Sequence, residues 1–219
     1  MNSSRKSATI RVGNIGGMPD VYRRLGLDFA AALRRAGLRH DAFEDQESLV
    51  PFTAVDVLFS IPVEEAGCEH FGLLVGSGPL NLGLPGFLAM QAPTTRIGIQ
   101  TLVASFNRVD SGGIGQLVEH GDVAIASYTL AVPGLRNKDQ MSDTAAAITS
   151  TLLRRMFGEN FVPTEVRLPI RAPKDLAPSR DFYPRSRLRF DSEAPAIEFP
   201  AALLDRQIDG ADPALFKYL

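Results

Sequence analysis

Apolar residues recur along this chain in two rhythms, one helical and one extended. The helical rhythm is plainest in SDTAAAITSTLLRRMFG (142–158), where Ile148, Leu152 and Met156 share a face. Ser142 or Asp143 can cap its start, and Gly158 can stop it. GLDFAAALRRAGL (26–38) predicts another helix, with Asp28 as N-cap and Gly37 where a left-handed residue closes the last turn. Two more helices are expected. One lies within 49–67, from Phe52, Val55, Phe59 and Val63, with Pro62 near its end; the other lies within 94–109, from Ile99, Leu102, Val103 and Phe106.

The extended rhythm begins at GQLVE, turns at HGD and returns through VAIASYTL, a hairpin over 115–130 with Gly121 at the turn. In PTEVRLPI (163–170), Val166, Leu168 and Ile170 alternate with polar neighbours as in a strand. A short helix around PSRDFY comes next. RLRF and AIEF flank DSEAP and predict a second hairpin, with Leu188, Phe190, Ile197 and Phe199 on its inner faces. Helix–strand–strand thus occurs twice, around 94–130 and 142–199. The expected class is α+β, an antiparallel sheet covered by helices and built from two such halves. Residues 1–10 read as a disordered polar tail and 11–211 as the folded body. At Asp212–Pro213 a further helix opens, since aspartate can cap it and proline has no N–H to orphan in the first turn.

Composition narrows the function classes. The 219 residues are 45% hydrophobic and 22% charged, enough for one substantial core or two closely packed halves. A net charge of −2 gives the chain as a whole no electrostatic pull toward nucleic acid or an anionic membrane. The single Cys68 excludes an internal disulfide and a multi-cysteine zinc site, and reads as a small buried hydrophobe. MNSSRKSAT carries no secretory pattern. GLLVGSGPLNLGLPGFLAM is too broken by glycine, proline and asparagine to span a membrane. A cytoplasmic, soluble protein is expected.

Catalytic motifs find little support. VGNIGG (12–17) lacks dinucleotide-binding glycine spacing, and no Walker lysine follows a glycine run. The serines of GSG (76–78) and DSGG (110–113) lack the nucleophile-elbow spacing and read as turns. His40, His70 and His120 form no pair at helical ligand spacing, and EHGD (119–122) reads as a solvated turn. No catalytic residue, metal or cofactor is expected. Arg167, Arg171, Lys174, Arg180, Arg185, Arg187 and Arg189 make a basic run against Asp175 and Asp181, either a phosphate-contacting surface or a solvated strand face.

Several segments together resemble a known family: RRLGLDFAAALRRAGL (23–38), LVPFTAVDVLF (49–59), APTTRIGIQTLVASFNRV (92–109), FGENFVPTEVRLPIRAPKD (157–175) and LRFDSEAPAIEFPAALLDRQIDGADPALFKYL (188–219). They are similar to the arabinose-binding-like N-terminal domain of AraC-type bacterial transcriptional regulators, in the subgroup that includes ornithine-utilisation regulators. The resemblance implies a domain that senses a small-molecule effector and forms a homodimer. It implies that DNA is contacted only through a following helix-turn-helix module absent from this chain. The helix opened at Asp212 would then be the head of the connection, over 212–219. It further implies an apolar pocket between sheet and helices, for which Phe71, Phe87, Phe106 and Tyr128 are lining candidates and His70 or Arg108 candidates for a polar end. The 142–158 helix, interrupted by Arg154 and Arg155, is a candidate dimer face. A free-standing small-molecule binding protein, or an enzyme on a related fold, is the alternative, and direct DNA contact by 167–189 a third reading.

Overall fold

A computed structural model describes residues 7–218, without the side chain of Asn107. Residues 1–6 of the expected tail, and Leu219, lie outside the described residues. Thr9 and Ile10, also expected in the tail, enter the fold instead. They belong to β1 (Thr9–Arg11), which is followed by α1 (Met18–Arg24), α2 (Phe29–Arg35) and β2 (Leu49–Pro51). Strands β1 and β2 pair antiparallel with Ile10 opposite Val50, and both side chains are buried. Asp28 caps α2 by accepting from the Ala31 N–H at 3.0 Å, and Gly37 takes the positive φ of 69° anticipated for it.

Helix α3 (Phe52–Ala66) buries Phe52, Val55, Leu58 and Phe59 and ends at the left-handed Gly67. Pro62 stands inside it and cannot donate to the Leu58 carbonyl one turn back. The buried Tyr22 hydroxyl of α1 donates to that carbonyl instead. Three elements follow: α4 (Phe71–Gly76), α5 (Gly83–Met90) and α6 (Thr95–Ser105), the last capped by Thr94. A 3-10 turn at Phe106–Arg108 leads to the expected hairpin, β3 (Gly113–His120) and β4 (Val123–Leu130), closed at Gly121 with φ 59°.

Helix α7 (Lys138–Phe157) starts earlier than the 142–158 pattern predicts. The Asp56 carboxylate of α3 accepts from the N–H groups of Arg136 and Asn137, at 3.1 and 2.8 Å. That anchor fixes the chain just ahead of Lys138, so the helix can begin there. Ser142 and Asp143, expected as caps, are buried inside it. Only Lys138, Asp139 and Arg155 of α7 are exposed, and its apolar side chains are buried or half-buried within this one chain, mainly against α4 and the sheet.

β5 (Glu165–Arg167), α8 (Ala177–Phe182), β6 (Arg187–Arg189), β7 (Ala196–Pro200) and α9 (Pro213–Tyr218) complete the chain. The α+β class holds, with a five-stranded sheet in the order β3-β4-β7-β5-β6. All its pairs are antiparallel except β5–β6. The second hairpin does not form, because β5 lies between β6 and β7. Leu188 and Ile197 flank the fully buried Val166 from either side. The intervening loop bonds back toward β5: Asp191 N–H donates to the Ile170 carbonyl at 2.9 Å and Ser192 N–H to Leu168 at 3.1 Å.

Two apolar cores result. One joins the β1–β2 ribbon, α1 to α4, the start of α7 and the end of β4. The other joins the sheet, α6 and the C-terminal half of α7, around Phe157, Phe161 and Phe199.

Candidate functional site

Between those cores lies an apolar cavity of about 120 Å³. Helix α6 supplies Ile99, Leu102 and Val103 to its wall, and α7 supplies Ile148, Thr149 and Leu152. Strands β3 and β4 close another side with Gly115, Ala126 and Tyr128, and Ile10 and Asn14 reach it from the N-terminal ribbon. Among the described residues no arginine, lysine or histidine lines it.

One polar cluster stands at this wall. Tyr128 Oη donates to Asp110 Oδ2 at 2.8 Å, and the Gly112 N–H donates to Asp110 Oδ1 at 2.9 Å. Burial pushes the Asp110 carboxyl above its ordinary range, while those donors pull it back down. The Tyr128 phenol is raised too, by burial first and then by the neighbouring carboxylate. Glycine is required along this strand by close packing. A Cβ on Gly113 would enter the Tyr128 ring, and one on Gly112 would enter Phe52. The ribbon is tied in here: Arg11 N–H donates to the Val109 carbonyl at 2.8 Å, and Ile10 bridges Asp110.

Asn14 completes the cluster. Its Nδ2 reaches the Val109 carbonyl at 3.5 Å, whereas its Oδ1 is buried without a donor among the described residues.

Of the residues named from sequence, the structure brings Phe106 and Tyr128 together at this cavity, ring centroids 5.5 Å apart. Phe71 is fully buried in the N-terminal core, packed on Tyr22 and Phe59. Phe87 is 51% exposed on α5. His70 lies at the start of α4, its Nε2 2.6 Å from the Asp175 carbonyl, and Arg108 is exposed; neither lines the cavity. Sequence reasoning missed Asp110 and Asn14. Both sit in glycine motifs, DSGG and VGNIGG, whose residue types carry no signal of burial.

A second buried polar group lies at the seam of α7 and the end of α8. Asp143 Oδ2, Ser150 Oγ and Tyr183 Oη are buried without hydrogen-bond partners. Burial raises Asp143 from 3.8 to about 7, with a hydrogen bond from the Leu73 backbone opposing the shift. Tyr183 is raised by burial and by Asp143, while Arg154 and the adjacent Ser150 hydroxyl oppose. None of Asp143, Ser150 and Tyr183 lines the cavity above.

The basic run is partly neutralised in place. Arg167 pairs with Glu165 at 2.8 Å and Glu198 at 3.1 Å, and Arg187 approaches Glu165 at 3.5 Å. Arg154 donates to the Phe182 carbonyl and lies over that ring. Cys68 is half-buried, and burial pushes its thiol up. Among the described residues no cluster of histidine, cysteine and carboxylate side chains suits a metal ion, and no helix is long and apolar enough to cross a membrane.

Residues 26–208 match the family described as the arabinose-binding domain of AraC transcription regulator, N-terminal. The fold is similar to that in the crystal structure of transcriptional regulator CdpR from Pseudomonas aeruginosa, with a TM-score of 0.61 at 17% identity over 90% of this chain. This chain spans 60% of that one. A comparison with curated proteins found no match. Neither match singles out the ornithine-utilisation subgroup.

Proposed function

The chain belongs to the family of arabinose-binding N-terminal domains of AraC transcription regulators, and we propose that it binds a small-molecule effector in the cavity between its two cores. This family is a regulator's effector-binding domain rather than an enzyme class. The observation that carries the reading is the cavity itself, apolar but furnished at one wall with Asn14, Asp110 and Tyr128. A few fixed polar groups in an apolar surround are what orient a small ligand.

The position of the cavity suits a switch. Its wall takes residues from both cores and from α6, α7 and the hairpin, so an occupant bridges them. A ligand shifts a conformational equilibrium only through different affinity for the two arrangements, and a seam between cores is where arrangements can differ. In this reading occupancy is passed to a helix-turn-helix module of the same regulator, which makes the DNA contacts. Homodimerisation and a bacterial cytoplasmic setting belong to the same proposal. Much of α7 is buried within the chain, which supports a dimer face elsewhere than the 142–158 helix in this reading.

Thermal unfolding of the chain against a panel of small amphipathic molecules tests the reading. A binder raises the melting temperature with the logarithm of its concentration over its dissociation constant. The shift should vanish in Ala145→Phe, which fills the cavity from α7. If every binder found kept its shift in that variant, the cavity would not be the sensor.

A further inference from the structure

Granting that the cavity is the effector site, its wall also states which head group it accepts. Its volume of about 120 Å³ is close to the roughly 150 Å³ at which an apolar cavity takes up benzene. The threonine hydroxyls nearby are already engaged, Thr144 with the Gly72 carbonyl at 3.0 Å and Thr149 with the Ala145 carbonyl at 2.8 Å. Tyr128 gives its only proton to Asp110. Gln116 and Ser127 also carry donors, but they pair across β3 and β4 one position out of step with Gly115 and Tyr128 and so belong to the other face of the sheet. On the inward face the second hydrogen of Asn14 Nδ2 is left, and otherwise capacity to accept.

Asn14 is 7% exposed and its Oδ1 has no donor among the described residues. Inverting its amide would set oxygen against the Val109 carbonyl that Nδ2 now meets at 3.5 Å, so the acceptor cannot be exchanged for a donor. A terminal amide torsion is soft, and a modest rotation presents Oδ1 to an occupant. The Asp110 oxygens hold one donor each and retain spare lone pairs. An anionic head group would surrender its hydration here, meet no cation, and face a carboxyl group.

We infer that the effector is a compact, mainly apolar molecule headed by a hydrogen-bond donor, a hydroxyl or an amine, and that carboxylate- or phosphate-headed molecules are rejected. Fatty acids and free amino acids fall in the rejected class.

Toluene, benzyl alcohol, benzylamine and benzoate share one ring and differ in the head, so calorimetric titration of the chain with each separates body from head group. The better of the two donor-headed probes should bind about tenfold more tightly than toluene. Benzoate should fall at least about a hundredfold below that probe. Asn14→Leu should remove the margin of the donor-headed probes over toluene, each compared within the same variant. Benzoate or toluene matching the donors would overturn the donor assignment while leaving the cavity as the site. Failure of all four probes to bind, or binding that survives Ala145→Phe, would overturn the site reading itself and the assignment with it.

Discussion

Asp110 and Asp143 are both buried, at 3% and 1% exposure, and burial raises the pKa of both. Asp110 stands beside empty space, with a donor on each oxygen. Asp143 stands in close packing, with Oδ2 unpartnered and the α4 backbone pressed against its helix. A carboxyl group is costly to ionise in either place. Only in the first can a ligand enter and change that cost. The second is a fixed feature of the fold, and its effect should be read in stability.

That contrast predicts its largest effect at Asp143. Its folded pKa is about 7 against an ordinary 3.8, so over the intervening range the folded state holds a proton that the unfolded chain has released. Stability contributed by this group is therefore fully present below about pH 4, declines as pH rises, and is gone above about pH 7, a change on the order of 4 kcal/mol. Asp139 raises Asp143 further as a nearby like charge, and Tyr183 and Arg154, which also act on the seam, have no ordinary titration inside this window. Asp143→Asn should flatten the decline, which denaturant unfolding from about pH 5 to about pH 8 would measure. An unchanged slope in the variant would assign the pH dependence to other groups and remove the asymmetry between the two aspartates.

Close packing against open space can be tested with glycine next. A Cβ on Gly72 would enter the Gln140 carbonyl of α7, where backbone meets backbone and neither helix can yield locally. A Cβ on Gly113 would enter the Tyr128 ring, which has the cavity to move into. Gly72→Ala should cost about 3 kcal/mol and Gly113→Ala about 1 kcal/mol, the difference being the room available. The smaller lesion should nevertheless abolish ligand binding, because the displaced ring takes the ligand's place. Equal losses of stability would mean that the cavity offers the ring no relief.

How far the sequence reveals this depends on how local each feature is. The caps at Asp28 and Thr94 and the turn at Gly121 act within a few residues of themselves, so spacing alone locates the elements they bound. Helices α1, α4 and α5 escape because they are short and lie in segments rich in glycine and proline. Helix α4 keeps Gly72 and Gly76 since α7 crosses too near for a side chain, a tertiary reason that local propensity opposes. The failed second hairpin is of the same kind. DSEAP has a hairpin loop's length, and only the sheet shows that β5 occupies the place beside β7. At the site, Phe106 and Tyr128 were legible as apolar surface. Asp110 and Asn14 were not, because a polar residue in a glycine-rich stretch looks solvated until the chain from the other half packs over it.

The smallest expected effect on stability falls on Asn14, and it sharpens the comparison most. Asn14→Leu forfeits one long hydrogen bond, that of 3.5 Å to Val109, and removes a buried acceptor that has no donor. The first change costs and the second restores, so the net should lie within about 1 kcal/mol of zero. Asp143→Asn keeps a polar group in the same place and removes a titration, so its consequence is confined to stability and its pH dependence. At Asn14 nearly unchanged stability should accompany a lost preference for donor-headed ligands, the pattern expected of a group kept unsatisfied for an occupant. A large destabilisation in chemical unfolding would instead make Asn14 a structural tie between the ribbon and Val109. The two buried polar groups would then differ in their surroundings and not in their purpose.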